Sequence, residues 1–277
     1  MNMPCARASV IIRTKDSACT LAGVLSALRS QSVAAEIIVV DSGSSDETLA
    51  MAHAQADRVI EMPDASFSFG RALNVGAAAA SAPIHFALSS HSFPPDDRWI
   101  ERSLSHYERP DVAGTNGALS APGLRVPLTS TFHQTLADAL ERPWWGFSNT
   151  GSSWRAQVWR EFPFDEALPA CEDKEWGLRV LSAGWTIAFD PQLCTSTRHR
   201  EDHGVGDLYR RSRREFQAIG SFAALAEPTV GALVREWFRD MSAHGSYRRW
   251  RRRLSPLRLA DLAGKYRGIK AVRRPTA

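Results

Sequence analysis

Along the first ninety residues the apolar positions fall into two alternating rhythms. Ala8 to Ile12 is a short apolar run, Leu21, Val24, Leu25 and Leu28 recur at helical spacing within Thr20 to Ser30, and Glu36 to Val40 is a β-branched run. Short continuous runs read as buried strands and the 3.6-residue spacing as an amphipathic helix. The segment therefore predicts a β-α-β unit. The second strand ends at Asp41, and the small polar residues Ser42-Gly43-Ser44-Ser45-Asp46 suit a tight turn and an N-cap for a helix from about Asp46 to Gln55. A third strand fits Arg58 to Glu61. After a loop around Pro63 to Ser68, Gly70 to Ser81 reads as helix and Ile84 to Leu88 as a further buried strand.

Alternating strands and helices argue for an α/β fold, a mostly parallel sheet with helices on both faces. Ligands in such sheets sit at the carboxyl ends of the strands, which points to Thr14 to Asp16, Asp41 to Ser44 and Ser89 to Phe93. Beyond residue 115 the alternation fades into a Pro- and Gly-punctuated middle carrying Trp144, Trp145, Phe147, Trp154 and Trp159. A helix from Glu172 to Ala183, ended by Gly184, and a strand from Thr186 to Phe189 follow. From about Gly206 the pattern is helical and arginine-rich, with breaks at Pro228 and Pro256. This predicts an α/β domain over 1–205 and a basic helical extension over 206–277.

The chain has 277 residues, 44% hydrophobic and 23% charged, enough for one large core or two modest ones. Its net charge of +4 is small for that length, so where the charge lies says more than its sum. Basic residues crowd the last third: Arg210, Arg211, Arg213 and Arg214, the run from Arg248 to Arg253 interrupted by Trp250, and Arg273 with Arg274. Three partners fit such a tail: nucleic acid, an anionic membrane surface, or solvent alone. No helix-turn-helix, zinc finger or aromatic RNA-binding strand pair supports the first. Cations interleaved with an aromatic suit a peripheral membrane contact, each charge contributing roughly 1 kcal/mol near an anionic leaflet, and this is the expected role.

Cys5, Cys19, Cys171 and Cys194 show no Cys-x-x-Cys spacing and are expected to be reduced thiols in a cytoplasm. The N-terminus has no long apolar run after a basic start and no window approaches eighteen uninterrupted apolar residues, so neither a signal peptide nor a spanning helix is expected.

Several residues carry possible chemistry. Asp41, at a strand end, either accepts hydrogen bonds from a pyrimidine imide or a ribose, or only terminates its strand. Glu172 and Asp173 open a helix, where acids stabilise the helix dipole or serve as a general base. Trp176 and Trp185 nearby fit either a sugar-stacking wall or the core. His91, and His199 or His203 further on, either ligate a divalent cation through neutral imidazole or are structural.

Taken in order, Ser9-Val10-Ile11-Ile12-Arg13-Thr14-Lys15-Asp16, Glu36 to Asp46 and Phe69-Gly70-Arg71-Ala72-Leu73-Asn74-Val75-Gly76 resemble the family 2 glycosyltransferases. Asn149 to Arg155, Phe162 to Glu166 and Glu172-Asp173-Lys174-Glu175-Trp176 resemble the acceptor-side half of the same family. The resemblance covers about residues 8 to 200. It implies a GT-A fold, a nucleoside-diphosphate sugar donor (UDP or dTDP), inversion at the anomeric carbon, and Mg²⁺ or Mn²⁺. Thr14, Asp16 and Asp41 fall where the family holds the nucleoside, with Ser42, Arg71 and Asn74 as further nucleotide-binding candidates. Asp173 falls at the general base, Glu172 beside it, and His199 near a histidine that in some members reaches metal or diphosphate.

Two departures stand out. Ser89-Ser90-His91 occupies the place of the usual Asp-x-Asp metal motif, putting His91 where a ligand aspartate is expected and leaving metal identity and dependence open. This Ser-x-His pattern resembles that of bacterial rhamnosyl- and related polysaccharide transferases. Leu73 stands where many members have arginine, with Arg71 as the nearby cation. The expected function is sugar transfer in cell-surface polysaccharide or glycolipid synthesis, with a lipid-linked oligosaccharide as acceptor. The rivals are a nucleotidyltransferase, which lacks its glycine-rich phosphate loop here, and a non-catalytic scaffold that binds nucleotide sugars.

Overall fold

A computed structural model of the chain describes residues 7–63, 67–119, 128–197, 204–239 and 254–272. Its first half builds β1 (Ala8–Thr14), α1 (Ala18–Arg29), β2 (Glu36–Asp41), α2 (Thr48–Gln55), β3 (Arg58–Glu61), α3 (Phe69–Ala79) and β4 (Ile84–Ser89). These are the elements the apolar rhythm predicts, with ends shifted by a residue or two. Asp46 lies outside α2 and acts on its entrance: its Oδ1 accepts from the Thr48 amide at 3.0 Å, while its Oδ2 accepts from the Ala18 amide at 3.1 Å. One carboxylate thus ties the starts of α1 and α2 together.

The second half supplies β5 (Ser92–Phe93), α4 (Trp99–Ser105), β6 (Val112–Gly117), β7 (Phe132–Gln134), α5 (Leu136–Glu141), β8 (Gly151–Arg155), α6 (Ala156–Glu161), α7 (Glu172–Ser182), β9 (Thr186–Asp190) and β10 (Ser196–Thr197). The central sheet has eight strands in the order β3-β2-β1-β4-β8-β6-β9-β7. β1, β2, β3 and β4 pair in parallel, as do β6 and β9, whereas β8 runs antiparallel to both β4 and β6. The middle that looked irregular in sequence therefore completes the sheet, with the Trp154 strand joining its halves.

Strand alternation sorts the core into two layers. Ile11, Ile38, Val40 and Ala87 face α3 and α7, meeting Leu73, Trp176 and Val180. Val10, Ile12, Ile37, Val39 and Phe86 face α1 and α4, meeting Leu21, Leu25, Trp99 and Ile100. Trp176 is fully buried and donates its indole N–H to the Phe162 carbonyl at 2.7 Å. It is a core residue and not a sugar-stacking face. Trp185 packs partly buried against the same layer.

Helices α8 (Val205–Phe222), α9 (Val230–Phe238) and α10 (Pro256–Val272) follow. α8 and α10 pack closely enough that a Cβ on Gly264 or Gly268 would strike the α8 backbone. Their cluster of Ile219, Leu225 and Ile269 extends to Cys171, just before α7. No helix among the described residues is long and apolar enough to cross a membrane. His199, His203, Arg248 to Arg253, Arg273 and Arg274 lie outside the described residues, so the metal role of His199 and the membrane role of that part of the tail are not addressed by the fold.

Candidate active site

The carboxyl ends of β1, β2 and β4 come together because β1 lies between the other two. Ser42 donates both its amide and its hydroxyl to the Thr14 carbonyl, at 3.0 and 3.1 Å. Asp41 is buried and held by its own turn: Oδ1 accepts from the amides of Gly43 and Ser44 at 3.0 and 2.9 Å, and Oδ2 from the Ser44 hydroxyl at 2.5 Å. Asp16, with φ of 45°, receives the amide and hydroxyl of Ser45 at 2.7 and 3.1 Å. Thr14, Asp16, Asp41 and Ser42 therefore form one cluster across two loops. Within it the buried Thr14 hydroxyl has no hydrogen-bond partner among the described residues.

The end of β4 joins this cluster through the Ser17 and Ser90 hydroxyls, 2.9 Å apart. Half-buried His91 follows, its Nδ1 3.3 Å from the Ser90 hydroxyl. Among the described residues, no three His, Cys, Asp or Glu side chains converge to hold a metal ion. The Ser89-Ser90-His91 stretch supplies two hydroxyls and one imidazole, whereas a hard divalent cation is held by several oxygens, carboxylates foremost. The described residues thus do not form the expected metal set around His91.

Arg71 and Asn74 part company with the cluster. Arg71 is exposed on α3, while Leu73, two positions on and so on a different face, is fully buried in the core. Asn74 binds the acceptor-side loop: its Nδ2 donates to the Phe164 carbonyl and Glu166 Oε1, both at 2.9 Å, and its Oδ1 accepts from Trp159 Nε1 and the Phe164 amide, both at 3.0 Å. Its amide is occupied by the protein itself. Gly70, one turn earlier, lets α3 approach that loop, since a Cβ there would meet the Asp165 carbonyl.

Helix α7 brings in the acidic pair. Glu172, Trp176 and Val180 recur every four residues and lie on its buried stripe, whereas Asp173 is turned about 100° away and keeps 16% of its side chain exposed. Periodicity thus separates two adjacent acids into an inner and an outer one. Glu172 Oε1 accepts from Arg13 Nη1 and Asn149 Nδ2, both at 3.3 Å. Burial, and then the neighbouring Asp173 charge, push the Glu172 carboxyl above its ordinary pKa, against the pull of Arg13. Asp173 Oδ2 accepts from the Asn149 amide at 3.2 Å and lies 3.6 Å from Lys174 Nζ, which also donates to the Gly146 and Phe147 carbonyls. The Thr150 carbonyl accepts from the Ser89 amide at 3.2 Å, linking this segment to the end of β4.

Cys171, immediately before the pair, has φ of 62°, a left-handed conformation that costs a side-chain-bearing residue about 1 kcal/mol or more. Its buried thiol, raised in pKa by that burial, donates to the Glu215 carbonyl of α8 at 3.8 Å. Sequence reasoning had not assigned roles to Arg13, Asn149 or Lys174. All three lie in or beside the quoted motifs, but Arg13 and Asn149 find Glu172 at 159 and 23 residues' distance, and Lys174 reaches back to the Gly146 and Phe147 carbonyls as well as to its neighbour Asp173.

A family model described as "Glycosyl transferase family 2" matches residues 9–154, more than half of the chain. No curated protein matches it by sequence. Among solved structures, the mannosyltransferase PcManGT from Pyrobaculum calidifontis, in complex with GDP-Man and Mn²⁺, superposes with a TM-score of 0.61 at 15% identity, over 78% of this chain and 63% of that one. The present chain thus spans less than two thirds of that transferase. S. aureus TarS 1-349 gives 0.57 at 16% identity, covering 96% and 91%. Glucosyl-3-phosphoglycerate synthase from Mycobacterium tuberculosis, in complex with phosphoglyceric acid, gives 0.58 at 20%, covering 82% of each chain. At these identities the likeness establishes the fold, a mixed and mostly parallel sheet flanked by helices of the GT-A type. With the family model matching the strands that build this site, the chain belongs to glycosyl transferase family 2.

Proposed function

We propose that the chain moves a sugar from a nucleoside-diphosphate sugar, UDP- or dTDP-linked, to a hydroxyl acceptor with inversion at the anomeric carbon. In this reading residues 1–205 act as the catalytic domain, and the part that follows, with α8, α9 and α10 among its described residues, acts as an extension. The observation that carries this reading is the meeting of the Thr14–Asp16–Asp41–Ser42 cluster with the start of α7 through Arg13 and Glu172. Donors bound to structural neighbours, GDP-Man, UDP-GlcNAc and UDP-Glc, support a nucleotide sugar as the donor class.

In this mechanism Asp173 takes the proton of the acceptor hydroxyl. The oxygen attacks the anomeric carbon, and the bond to the diphosphate breaks with its electron pair leaving on the nucleoside diphosphate. Glu172, tied to Arg13 and Asn149, sets the position of Asp173 and does not itself take the proton. His91 lies beside the diphosphate. The unspent Thr14 hydroxyl and the Asp41 turn face the nucleoside, whereas Asn74 acts as a clamp between the two halves and not as a nucleotide ligand. The acceptor is a bacterial surface polysaccharide or glycolipid precursor, such as a lipid-linked oligosaccharide, met at the cytoplasmic face of the membrane through the basic tail.

The test is thermal stability with UDP, dTDP, GDP and CMP, each with and without Mn²⁺ or Mg²⁺. A ligand at 100 times its Kd adds about 2.7 kcal/mol of stability. One diphosphate raising the midpoint by several degrees fixes the donor class, and growth of that shift with metal shows that the nucleotide is bound together with a divalent cation. No shift with any nucleotide defeats the reading. Donor binding without turnover favours the scaffold.

A further inference from the structure

One face of α8 gathers three arginines, of which Arg213 and Arg214 have no carboxylate partner among the described residues. Arg210, Arg213, Arg214, Gln217 and Ser221 recur at three- and four-residue intervals, so they share one side of the helix, and with Pro169 they line an open cleft of about 470 Å³. That volume is typical of small-molecule sites. Pro169 stands four residues ahead of Asp173, and the intervening Cys171 is bound to α8 through its thiol. One wall of the cleft is therefore the loop that leads into the acidic pair.

Two other arginines of α8, one of them on this face, are neutralised within the helix. Arg211 donates to Glu215 at 2.7 Å, and Arg210 to Asp207 at 2.6 Å. Arg213 and Arg214 have no carboxylate within 4 Å among the described residues, and the positions four residues on are Gln217 and Ala218 where Arg211 has Glu215. Arg210 is a like-charged neighbour of both, at i+3 and i+4, a spacing that disfavours the helix unless an anion lies among them. Guanidinium groups gathered in this way match the paired oxygens of a phosphate.

We propose that this cleft is an anion subsite that takes a phosphate group carried by the acceptor, whose hydroxyl then lies at Asp173. The proposal rests on the sugar-transfer reading above. The test is the variant Arg213→Gln/Arg214→Gln, which changes two exposed side chains and leaves the Arg210–Asp207 pair in place. Inorganic pyrophosphate is titrated calorimetrically into each protein with the best-binding nucleoside diphosphate held at saturation, so that the donor site is filled. The expected result is saturable binding to the parent protein, weakened tenfold or more in the variant, with nucleotide affinity and melting temperature unchanged. Equal affinity in the two proteins, or no binding to the parent, overturns the proposal. In a parallel arm with phosphatidylglycerol vesicles, a variant that loses vesicle binding but keeps its pyrophosphate affinity also overturns it, in favour of a lipid surface. Failure of the sugar-transfer reading is seen separately, as the absence of nucleotide stabilisation in both proteins.

Discussion

Arg13 and Glu172, 159 residues apart in the chain, meet at 3.3 Å with side chains 16% and 6% exposed. Arg13 follows the last core residue of β1 and stacks over Phe69, 5.1 Å from the ring centre, while Glu172 opens α7. The contact binds the half that would hold the donor to the half that would hold the base. Removing one partner of a buried pair leaves the other charge uncompensated. Arg13→Met is expected to cost about 2–3 kcal/mol in urea denaturation, near the low end for buried pairs because the bond is long. Arg13→Met/Glu172→Gln should recover part of that loss. Strictly additive losses would show that the two side chains do not depend on each other.

Asp173→Asn should lower turnover by at least about 100-fold, the usual minimum for losing a general base, and leave donor affinity within about twofold. Steady-state kinetics and nucleotide titration separate the two effects. Intact turnover, or an equal loss of donor binding, removes Asp173 from the role of base.

Asn74→Ala would leave the Phe164 amide and carbonyl and the Trp159 indole N–H without their partner. Each such loss costs about 1–3 kcal/mol when buried, and these groups are partly buried, so about 3 kcal/mol in total is expected. That corresponds to roughly 6–12 °C in melting temperature for a chain of this size. Nucleotide affinity at a temperature where the variant is folded should be unchanged. A selective loss of nucleotide binding with normal stability would return Asn74 to the pocket.

His85 on β4 is buried against Trp154 and Trp159, and both of its ring nitrogens are without a hydrogen-bond partner among the described residues. Burial pushes its pKa down from 6.5 to about 4. Between those values the unfolded chain binds a proton that the folded one does not, so stability falls as pH drops from 6.5 towards 4. The loss amounts to about 3 kcal/mol at the bottom of that window. His85→Leu should flatten this part of the stability–pH curve. Parallel curves for the two proteins would place the acid sensitivity elsewhere.

The sequence by itself determined the first half of the fold. Its elements alternate between β-branched runs and helically spaced leucines, a signal carried by neighbours within a few residues of each other, so β1 to β4 and their helices were legible. It also placed Thr14, Asp41 and Asp173 at strand and helix ends, where ligands gather. The stripe through Glu172, Trp176 and Val180 was readable too, since a helix repeats every 3.6 residues whatever surrounds it.

What only the tertiary structure decided were matters of long-range pairing. The insertion of β8 between β4 and β6 depends on antiparallel partners more than thirty residues away, which no local period encodes. Asn74 looked like a pocket residue until the loop at Phe164, ninety residues on, claimed all of its hydrogen bonds. Arg13 looked like one cation among many until it met Glu172. Burial and partnership set the chemistry of a polar side chain, and both arise only when distant segments pack together.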